Sequence, residues 1–353
     1  MQIEFIPVRP EISIGETLGY AFFAFILGLL ITPWFIQFVQ RNKGGKQLRV
    51  ETVDGKQASV FRKYHKHKFG TPTMGGVVIW GSILLTVLVS RALSLMGVVD
   101  HSLLQRGQVY LPLFILVSLG ALGALDDYLS IIGSGKKKGL DWMPKLITLL
   151  LISGIGALWF YFKLGYDQVH VPFYGPWNLG LLYIPVFMFI IVGTANAVNV
   201  TDGLDGLAGG LLVIAFSSFG FLAFTEGLYV LSAFCFVTVG AIGAFLWHNV
   251  PPALFFMGDT GSLALGGVLG VIAMMIDHML VLPLVGFVFV IEMLSVIIQL
   301  TSKKFRGGKK VFRAAPIHHH FEALEWGESK VTMRMWIVGS FLAFLGVIVG
   351  VLG

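Results

Sequence analysis

The segment Asn199-Val-Thr-Asp-Gly-Leu-Asp-Gly206 places two carboxylates and an amide between two strongly apolar stretches of the chain. A carboxylate at bilayer depth costs at least about 2.5–3.5 kcal/mol, so acids in such positions tend to carry function. Asn199, Asp202 and Asp205 are spaced i, i+3, i+6, and a helix would set all three on roughly one face. The segment therefore predicts a functional polar surface beside or within a membrane.

The composition indicates an integral membrane protein. Of 353 residues, 56% are hydrophobic and 12% are charged, whereas an ordinary soluble domain has about 25% charged residues. Apolar spans of about 20 residues are long enough to cross a bilayer. We place ten such spans, at Leu18–Gln40, Thr73–Leu95, Val109–Leu125, Lys145–Phe162, Leu181–Ala197, Leu207–Phe224, Tyr229–Trp247, Ser262–Ile276, Val281–Ser302 and Thr332–Leu352. The expected fold is one all-α domain over residues 1–353, a bundle of about ten transmembrane helices.

The Lys and Arg residues indicate the orientation of this bundle. The loops Arg41–Gly70, Asp127–Lys145 and Lys303–Arg334 together hold 21 of the 25 Lys and Arg residues. By the positive-inside rule these loops are cytoplasmic, and an even number of spans then puts both termini on the periplasmic side. The net charge of +6 follows from this topology, and no nucleic-acid partner is expected.

This topology brings every acidic cluster to the cytoplasmic face. Asp126 and Asp127 end the third span, Asn199–Asp205 forms the turn after the fifth, and Asp259 follows the seventh. The three consecutive imidazoles His318–His320 lie in the loop after the ninth span. The sequence therefore predicts that these polar residues form one site at the inner face of the membrane.

The residue types in this predicted site favour Mg²⁺ and a phosphorylated substrate. The turns after spans five and seven contain no Lys or Arg, and close carboxylates without counter-ions repel each other unless a divalent cation binds. Mg²⁺ usually takes one or two carboxylates together with substrate phosphates. The imidazoles leave Zn²⁺ as the alternative, although zinc sites rarely include so many carboxylates. Basic loops around an acidic centre suit a polyphosphate.

Several of these features also have a purely structural interpretation. Asp259 alone fits a helix N-cap, although the glycines in Phe256–Ser262 permit close approach of a phosphate to a helix N-terminus. Thr71–Gly76 fits a helix entry with proline in its first turn, and the same segment is positioned to contact substrate. Glu292 lies near mid-bilayer with Ser295 and Gln299 at i+3 and i+7. This polar stripe fits either structural hydrogen bonding or a lipid-groove or relay role.

Five segments, in this order along the chain, carry a family resemblance. They are Gly70-Thr-Pro-Thr-Met-Gly-Gly76, Leu125-Asp-Asp-Tyr128, Asn196-Ala-Val-Asn-Val-Thr-Asp-Gly-Leu-Asp-Gly-Leu207, Phe256-Met-Gly-Asp-Thr-Gly-Ser262 and Pro316-Ile-His-His-His-Phe-Glu322. The chain resembles the polyprenyl-phosphate N-acetylhexosamine-1-phosphate transferases over essentially its whole length. The first and last segments are similar to those of the muramoyl-pentapeptide branch of that family.

The resemblance implies a reaction at the bacterial cytoplasmic (inner) membrane. UDP-N-acetylmuramoyl-pentapeptide would give its phospho-sugar to undecaprenyl phosphate, yielding lipid I and UMP with Mg²⁺ as cofactor. Transfer of N-acetylglucosamine-1-phosphate is the alternative within the same class. An ion-coupled transporter is the alternative in another class, and it fits poorly because the acids gather at one face and no repeat is visible. Membrane lipid is an expected partner, and homodimerisation stays open.

The resemblance also implies a role for each site residue. Asp259 would bind Mg²⁺ at the diphosphate, while Asp126 would deprotonate the lipid phosphate with Asp127 beside it. The lipid phosphate would attack the diphosphate directly, with a covalent intermediate on Asp259 as the rival. The other implied contacts are Asn199 and Asp202 for phosphate and metal, Lys68, Asp205, Asn249 and Phe256 for the uridine, Lys145 for the phosphates, His318 (also catalytic) and His319 for the diphosphate or sugar, and Thr73 and His320 elsewhere on the substrate.

Overall fold

The computed structural model describes residues 12–41, 70–104, 107–133 and 139–353. Nearly all regular structure in these ranges is helical. The α-helices are α1 (Ile14–Arg41), α2 (Gly76–Leu95), α3 (Tyr110–Ile132), α4 (Trp142–Leu158), α5 (Tyr183–Thr201), α6 (Leu207–Thr225), α7 (Tyr229–Asn249), α8 (Gly258–Met275), α9 (Leu282–Val285), α10 (Phe287–Phe305), α11 (Ile317–Glu322) and α12 (Glu328–Leu352). The strands β1 (Gln168–Val171) and β2 (Gly175–Asn178) form an antiparallel hairpin.

The prediction of an all-α membrane bundle is confirmed. Nine helices in the described part of the chain are long and apolar enough to cross a membrane, and they correspond to nine of the ten predicted spans. The remaining prediction, Val281–Ser302, is divided at Gly286 into the short α9 and the longer α10. α10 has the length of a span, but it carries Glu292, Lys303 and Lys304 and is the most polar of the long helices.

The end of α3 and the start of α8 differ from their predicted positions, and both differences involve acids. α3 continues beyond Leu125 to Ile132, and α8 begins at Gly258 rather than at Ser262. Apolar character alone misplaces these ends because it treats a carboxylate as the end of a span. The carboxylates are accommodated within helices, since neighbouring helices provide hydrogen-bond partners for them.

α8 lies at the centre of the bundle, where all of its residues from Thr260 to Met274 are buried. A Cβ atom on Gly266 would lie only 2.6 Å from the carbonyl oxygen of Thr194 in α5. A Cβ atom on Gly267 would lie 2.4 Å from a methyl carbon of Leu119 in α3. Glycines let helix backbones approach closely in membranes. α8 is therefore packed tightly between α3 and α5, which fixes its first turn relative to both helices.

The hairpin closes the end of the bundle at which α8 terminates. The main-chain N–H of His170 donates to Asp277 Oδ1 at 3.0 Å, and His170 Nε2 lies 3.0 Å from the carbonyl oxygen of Gly353. His278 Nε2 lies 3.4 Å from Glu226 Oε1. These contacts join the hairpin, the link after α8, the link after α6 and the end of α12 in one polar cluster.

We expect His278 to make the stability of this cluster depend on pH. Burial lowers the pKa of His278 from its usual value of 6.5, although hydrogen bonding and charge from Glu226 and the charge of Asp277 oppose the shift. The folded state thus favours the neutral ring, so its stabilising contribution is complete above the unfolded-state pKa and is lost as pH falls below that value. The melting temperature should therefore decrease between about pH 7.5 and pH 5.5, and His278→Phe should reduce the decrease.

Asp277 contributes with the opposite sign, because burial raises the pKa of its carboxyl group above 3.8. Its contribution is complete at acid pH and is lost as pH rises through the folded-state value. Asp277→Asn is therefore the matched variant and should leave the decrease below neutral pH in place. An identical decrease in wild type and His278→Phe would rule out His278 as its source.

Candidate active site

The predicted acidic residues meet at the end of the bundle opposite the hairpin. Asp126 and Asp127 lie in α3, Asn199 lies in the last turn of α5, and Asp259 lies in the first turn of α8. α3 and α8 touch at this level, where a Cβ atom on Gly123 would lie 2.1 Å from the carbonyl oxygen of Asp259. We refer to Asp126, Asp127 and Asp259 as the carboxylate cluster.

Asp259 lies at the centre of the cluster. Its Oδ2 pairs with the ammonium group of Lys145 in α4, and its Oδ1 accepts a hydrogen bond of 2.7 Å from Asn199 Nδ2. The same amide nitrogen lies 2.9 Å from Ser262 Oγ, one turn along α8. The Asp259 carboxyl group also lies close to that of Asp126. Four helices thus contribute side chains to the surroundings of one carboxylate.

Asp127 is almost fully buried and holds the first turn of α8. Its Oδ2 accepts hydrogen bonds from Thr260 Oγ1 at 2.6 Å and from the Thr260 main-chain N–H at 3.0 Å, and its Oδ1 accepts from the Asp259 N–H at 3.3 Å. A carboxylate at a helix N-terminus satisfies free N–H groups and interacts favourably with the helix dipole. Asp127 therefore fixes the position of the peptide that carries Asp259.

Asp126 has fewer partners than Asp127. Within the described residues its Oδ1 accepts a hydrogen bond of 2.9 Å from the main-chain N–H of Leu140, in addition to its contact with Asp259. Gly139 passes close by with φ +81°, and a Cβ atom there would lie 3.2 Å from Asp126 Oδ2. The two neighbouring acids thus differ in hydrogen bonding. Both carboxylate oxygens of Asp127 accept hydrogen bonds from α8, whereas Asp126 retains the capacity to accept further ones.

The segment is not continuously helical, so Asn199, Asp202 and Asp205 do not share one helical face, whereas the turn predicted after the fifth span is present. α5 ends at Thr201, and the following residues form a turn in which Gly206 has φ +75°. Asp202 Oδ2 accepts a hydrogen bond of 3.2 Å from the main-chain N–H of Gly258, so it faces the first turn of α8. Asp205 faces another way, because the chain has left the helix between the two acids.

Asp205 and Asn249 connect the turn to the loop after α7. Asp205 Oδ2 accepts from the Ala253 N–H at 2.9 Å. Asn249 Oδ1 accepts from the Gly206 N–H at 2.9 Å, and its Nδ2 donates to the carbonyl oxygen of Phe255 at 2.8 Å. Both side chains are buried. Two of the four predicted uridine contacts therefore lie together, and they shape the loop that carries another of them, Phe256.

The loop from 253 to 257 pairs with the segment that precedes α2. The main-chain N–H of Phe256 donates to the carbonyl oxygen of Pro72 at 2.9 Å, and the Gly75 N–H donates to that of Phe256 at 2.8 Å. Phe256 itself is half-buried. Thr73 is buried, and a Cβ atom on Gly258 would lie 2.7 Å from its hydroxyl oxygen. The entry to α2 thus borders the carboxylate cluster. Lys68 lies outside the described residues.

The three histidines of α11 have different surroundings. His318 is buried, and its Nε2 would lie 2.4 Å from a Cβ atom on Gly203, in the turn after α5. His319 Nδ1 lies 2.6 Å from Glu322 Oε2. His320 Nδ1 accepts from the Arg313 N–H at 3.1 Å. Of the three predicted contacts, His318 packs directly on the turn that joins Asp202 to Asp205.

The donor set at the carboxylate cluster fits Mg²⁺ better than Zn²⁺. Within the described residues no three His, Cys, Asp or Glu side chains are grouped so that they hold a metal by themselves, as a closed zinc site requires. The available atoms are carboxylate oxygens of Asp126 and Asp259. The ammonium group of Lys145 already supplies a positive charge next to Asp259. Mg²⁺ with one or two carboxylates and substrate phosphates matches this arrangement.

The sequence analysis assigned no role to three residues that shape the site, and it left the role of a fourth, Glu292, open between two alternatives. Thr260 and Ser262 bind Asp127 and Asn199, and both lie within a segment whose interest was clear from its glycines. Glu328, at the start of α12, accepts a hydrogen bond of 2.7 Å from the Asp205 N–H, and no local signal marks it. Glu292 was noted as part of a polar stripe, but its partner His318 was not foreseen.

A carboxylate–lysine cluster at one end of a bundle of apolar helices is an arrangement that suits a polytopic membrane transferase of phosphorylated sugars. In agreement, residues 109–277 match the family model described as glycosyl transferase family 4. Residues 68–79 match signature 1 of phospho-N-acetylmuramoyl-pentapeptide-transferase.

Similar curated proteins indicate the family within this class. Proteins named phospho-N-acetylmuramoyl-pentapeptide-transferase are 40% identical in Chloroflexus aurantiacus over 92% of this chain and 86% of the relative, and 40% identical in Geobacillus sp. (strain WCH70) over 93% and 96%. The relative of that name in Thermodesulfovibrio yellowstonii is 41% identical over 81% of each chain. The chain belongs to the phospho-N-acetylmuramoyl-pentapeptide-transferase family, and it is an enzyme of the phosphosugar transferase class.

Proposed function

We propose that the carboxylate cluster transfers phospho-N-acetylmuramoyl-pentapeptide from UDP-N-acetylmuramoyl-pentapeptide to undecaprenyl phosphate, forming lipid I and releasing UMP. The observation that carries the proposal is the group formed by Asp126, Asp259, Asn199 and Lys145 at one end of a membrane bundle. A soluble nucleotide sugar and a membrane-held phosphate need a site at the membrane surface. Membership of the family supplies the identities of the two substrates.

The chemistry is phosphoryl transfer, in which positioning and neutralisation of charge supply most of the rate. Asp259 is the proposed Mg²⁺ ligand, and Asn199 and Lys145 hold its carboxylate in place. Mg²⁺ held by Asp259 would supply positive charge that neutralises the diphosphate oxygens of the nucleotide sugar. Lys145 is only partly buried. Its ammonium group is therefore suited to bind phosphate oxygens of the substrate in addition to Asp259.

Asp126 is the proposed base that deprotonates the lipid phosphate. The unequal hydrogen bonding of the two neighbouring acids supports this choice, because Asp127 holds Thr260 and the Asp259 N–H whereas Asp126 retains acceptor capacity. Asp127 then acts as a positioning residue for Asp259. Asp202, which accepts from the Gly258 N–H, borders the same turn and helps to place phosphate and metal.

The lipid phosphate attacks the diphosphate directly in this proposal. Exchange of labelled UMP into the nucleotide sugar in the complete absence of lipid would instead require an intermediate on the enzyme, for which Asp259 is the candidate. The uridine is assigned to the loop after α7, with Phe256 as the stacking surface, Asp205 and Asn249 as its support, and Lys68 nearby. His319, Thr73 and His320 complete the proposed substrate contacts.

The proposed location is the bacterial inner membrane with the site at the cytoplasmic face. The distribution of Lys and Arg supports this orientation, since Lys303 and Lys304 lie in the last turn of α10 and Arg306 begins the loop that leads from there to α11 at the site end. The residues of α11, which approach the turn after α5, belong to that same loop region. Both chain termini are then periplasmic.

An assay of the purified chain in detergent with undecaprenyl phosphate and Mg²⁺ tests the proposal. We expect release of UMP and formation of a lipid-linked product from UDP-N-acetylmuramoyl-pentapeptide, and loss of both on chelation of the metal. UDP-N-acetylglucosamine is the matched substrate and should give no product. Turnover of UDP-N-acetylglucosamine alone would transfer the assignment to the other branch, and retention of full activity in excess chelator would overturn the role of Mg²⁺.

A further inference from the structure

α10 carries a stripe of buried polar side chains that the proposed reaction does not use. Glu292, Ser295, Gln299 and Ser302 are all buried, and their spacing places them on one face of the helix. Polar groups within membrane helices are costly unless they are paired or functional. The Glu292 side chain is fully buried, at 0% exposure, so its contacts need a specific explanation.

The C-terminal part of the stripe, Gln299 and Ser302, binds the loop that leads to the three histidines. Gln299 Oε1 accepts from the main-chain N–H groups of Val311 and Phe312, both at 3.0 Å, and its Nε2 donates to the Phe312 carbonyl oxygen at 3.0 Å. Ser302 Oγ donates to the carbonyl oxygen of Lys309 at 3.0 Å. The backbone before α11 is therefore fixed against α10, which determines where His318 is placed.

Glu292 contacts His318 itself. Glu292 Oε2 lies 2.9 Å from His318 Nδ1, and the His318 main-chain N–H donates to the same oxygen at 3.4 Å. The imidazole is 1% exposed. An ionised carboxylate only accepts hydrogen bonds, so with Glu292 ionised the facing ring nitrogen, Nδ1, is the one that carries the proton. A carboxylate next to histidine commonly fixes the tautomer and the orientation of the ring.

The opposite ring nitrogen is left without a partner. Among the described residues, His318 Nε2 is a buried atom with no hydrogen bond. It points to Gly203, where a Cβ atom would lie 2.4 Å away. Gly203 follows Asp202, whose carboxylate accepts from the first turn of α8. A buried, unpaired acceptor costs free energy, and here it lies beside the turn assigned to the substrate.

We propose that Glu292 is a positioning residue, which holds His318 as the Nδ1–H tautomer so that Nε2 accepts a hydrogen bond from a hydroxyl or N–H group of the bound substrate. The inference rests on the proposed function, since it gives Nε2 a substrate partner. Gly203 packs directly against Nε2, so any larger residue at this position would displace the ring from the turn assigned to the substrate. Glu292 itself does not touch the substrate, and it acts through the imidazole.

A double-mutant cycle tests this assignment. His318→Asn retains a donor at the Nδ1 position for Glu292 but removes Nε2, so the buried carboxylate stays paired. We expect Glu292→Gln to lower kcat by about 10- to 30-fold, with the KM of each substrate changing less. In the His318→Asn background Glu292→Gln should have almost no further effect. Equal effects of Glu292→Gln in both backgrounds would overturn the proposal, since a purely structural role does not depend on Nε2.

Ser295→Ala is the matched control in the same stripe. Ser295 is buried and its hydroxyl donates to the Glu292 carbonyl oxygen at 2.7 Å, so its removal disturbs the helix without changing the contact to His318. We expect kcat to stay within about twofold of wild type. Wild-type turnover of the muramoyl-pentapeptide nucleotide, measured in parallel, separates failure of this inference from failure of the proposed function.

The tautomer is also measurable in the folded wild-type protein, which covers the case in which Glu292→Gln does not fold. In ¹⁵N-histidine-labelled enzyme, the ring signal that disappears in His318→Asn belongs to His318. We expect its shifts to be those of a ring protonated at Nδ1, with Nε2 unprotonated in the absence of substrate. A ring protonated at Nε2 alone would contradict the assignment.

Discussion

Asp259→Asn is expected to lower the rate of lipid I formation by about 1,000-fold or more. The substitution retains the size of the side chain and an oxygen for Asn199, whose Nδ2 lies 2.7 Å from Asp259 Oδ1. It removes the negative charge that pairs with Lys145 and that would bind Mg²⁺. Because the proposed catalysis depends on charge neutralisation at the diphosphate, kcat should fall far more than nucleotide binding. Turnover measured as UMP release, with nucleotide affinity measured separately, gives both quantities.

Asp277→Asn is the matched control, because it makes the same change at the hairpin end of α8. Asp277 accepts a hydrogen bond from the His170 N–H at 3.0 Å and lies outside the carboxylate cluster. Its activity should stay within about twofold of wild type. If Asp259→Asn retained more than about a tenth of wild-type turnover at saturating Mg²⁺, the central role of Asp259 would be wrong.

The membrane bundle and the convergence of its acids could be predicted from the sequence because both follow from short-range patterns. Apolar runs of the required length identify the helices, and alternation of direction sends Asp126, Asn199 and Asp259 to the same end. The structure adds the close helix contacts that bring these residues together. Gly123 and Gly266 let α3 and α5 touch α8, so residues that were predicted only to share one face of the membrane lie within hydrogen-bonding distance.

The partners of the individual acids could not be predicted, because they are distant in the chain. Lys145 pairs with Asp259 across 114 positions, and Glu292 meets His318 across 26. The expectation that the acids lack local counter-ions holds for their own turns, yet a lysine from another helix reaches Asp259. No periodicity encodes such pairings, which depend on how helices pack side by side.

The positions of helix ends were also difficult to predict from the sequence. The i, i+3, i+6 spacing of Asn199, Asp202 and Asp205 suggested continuous helix, but α5 ends at Thr201 and Gly206 adopts φ +75°. Glycine accepts this left-handed backbone without the steric cost that other residues incur. The segment has two glycines in five residues, and that turn signal outweighs the spacing. Because the helix ends before Asp202, the two acids contact different parts of the proposed site: Asp202 faces α8, and Asp205 supports the uridine loop.

Gly123→Ala is expected to reduce transfer by about 100-fold although it adds only one methyl group. The new Cβ atom would lie 2.1 Å from the carbonyl oxygen of Asp259 and 2.6 Å from the main-chain nitrogen of Thr260. These are backbone atoms that cannot rotate away, so α3 must move from α8. The movement stretches the hydrogen bonds from Thr260 to Asp127, now 2.6 Å and 3.0 Å. Overpacking of this kind also destabilises a fold by about 1–3 kcal/mol.

Gly81→Ala in α2 and Gly193→Ala in α5 provide the controls, because a Cβ atom on either glycine meets nothing within 4 Å. Both remove a helical glycine, and each should leave turnover within about twofold of wild type and raise the melting temperature slightly, since alanine favours helix by up to about 1 kcal/mol. A normal rate in Gly123→Ala would show that the first turn of α8 tolerates displacement from α3. Loss of activity in all three variants would indicate that helical glycines matter for flexibility. The close contact between Gly123 and Asp259 would then not be the reason for the loss in Gly123→Ala.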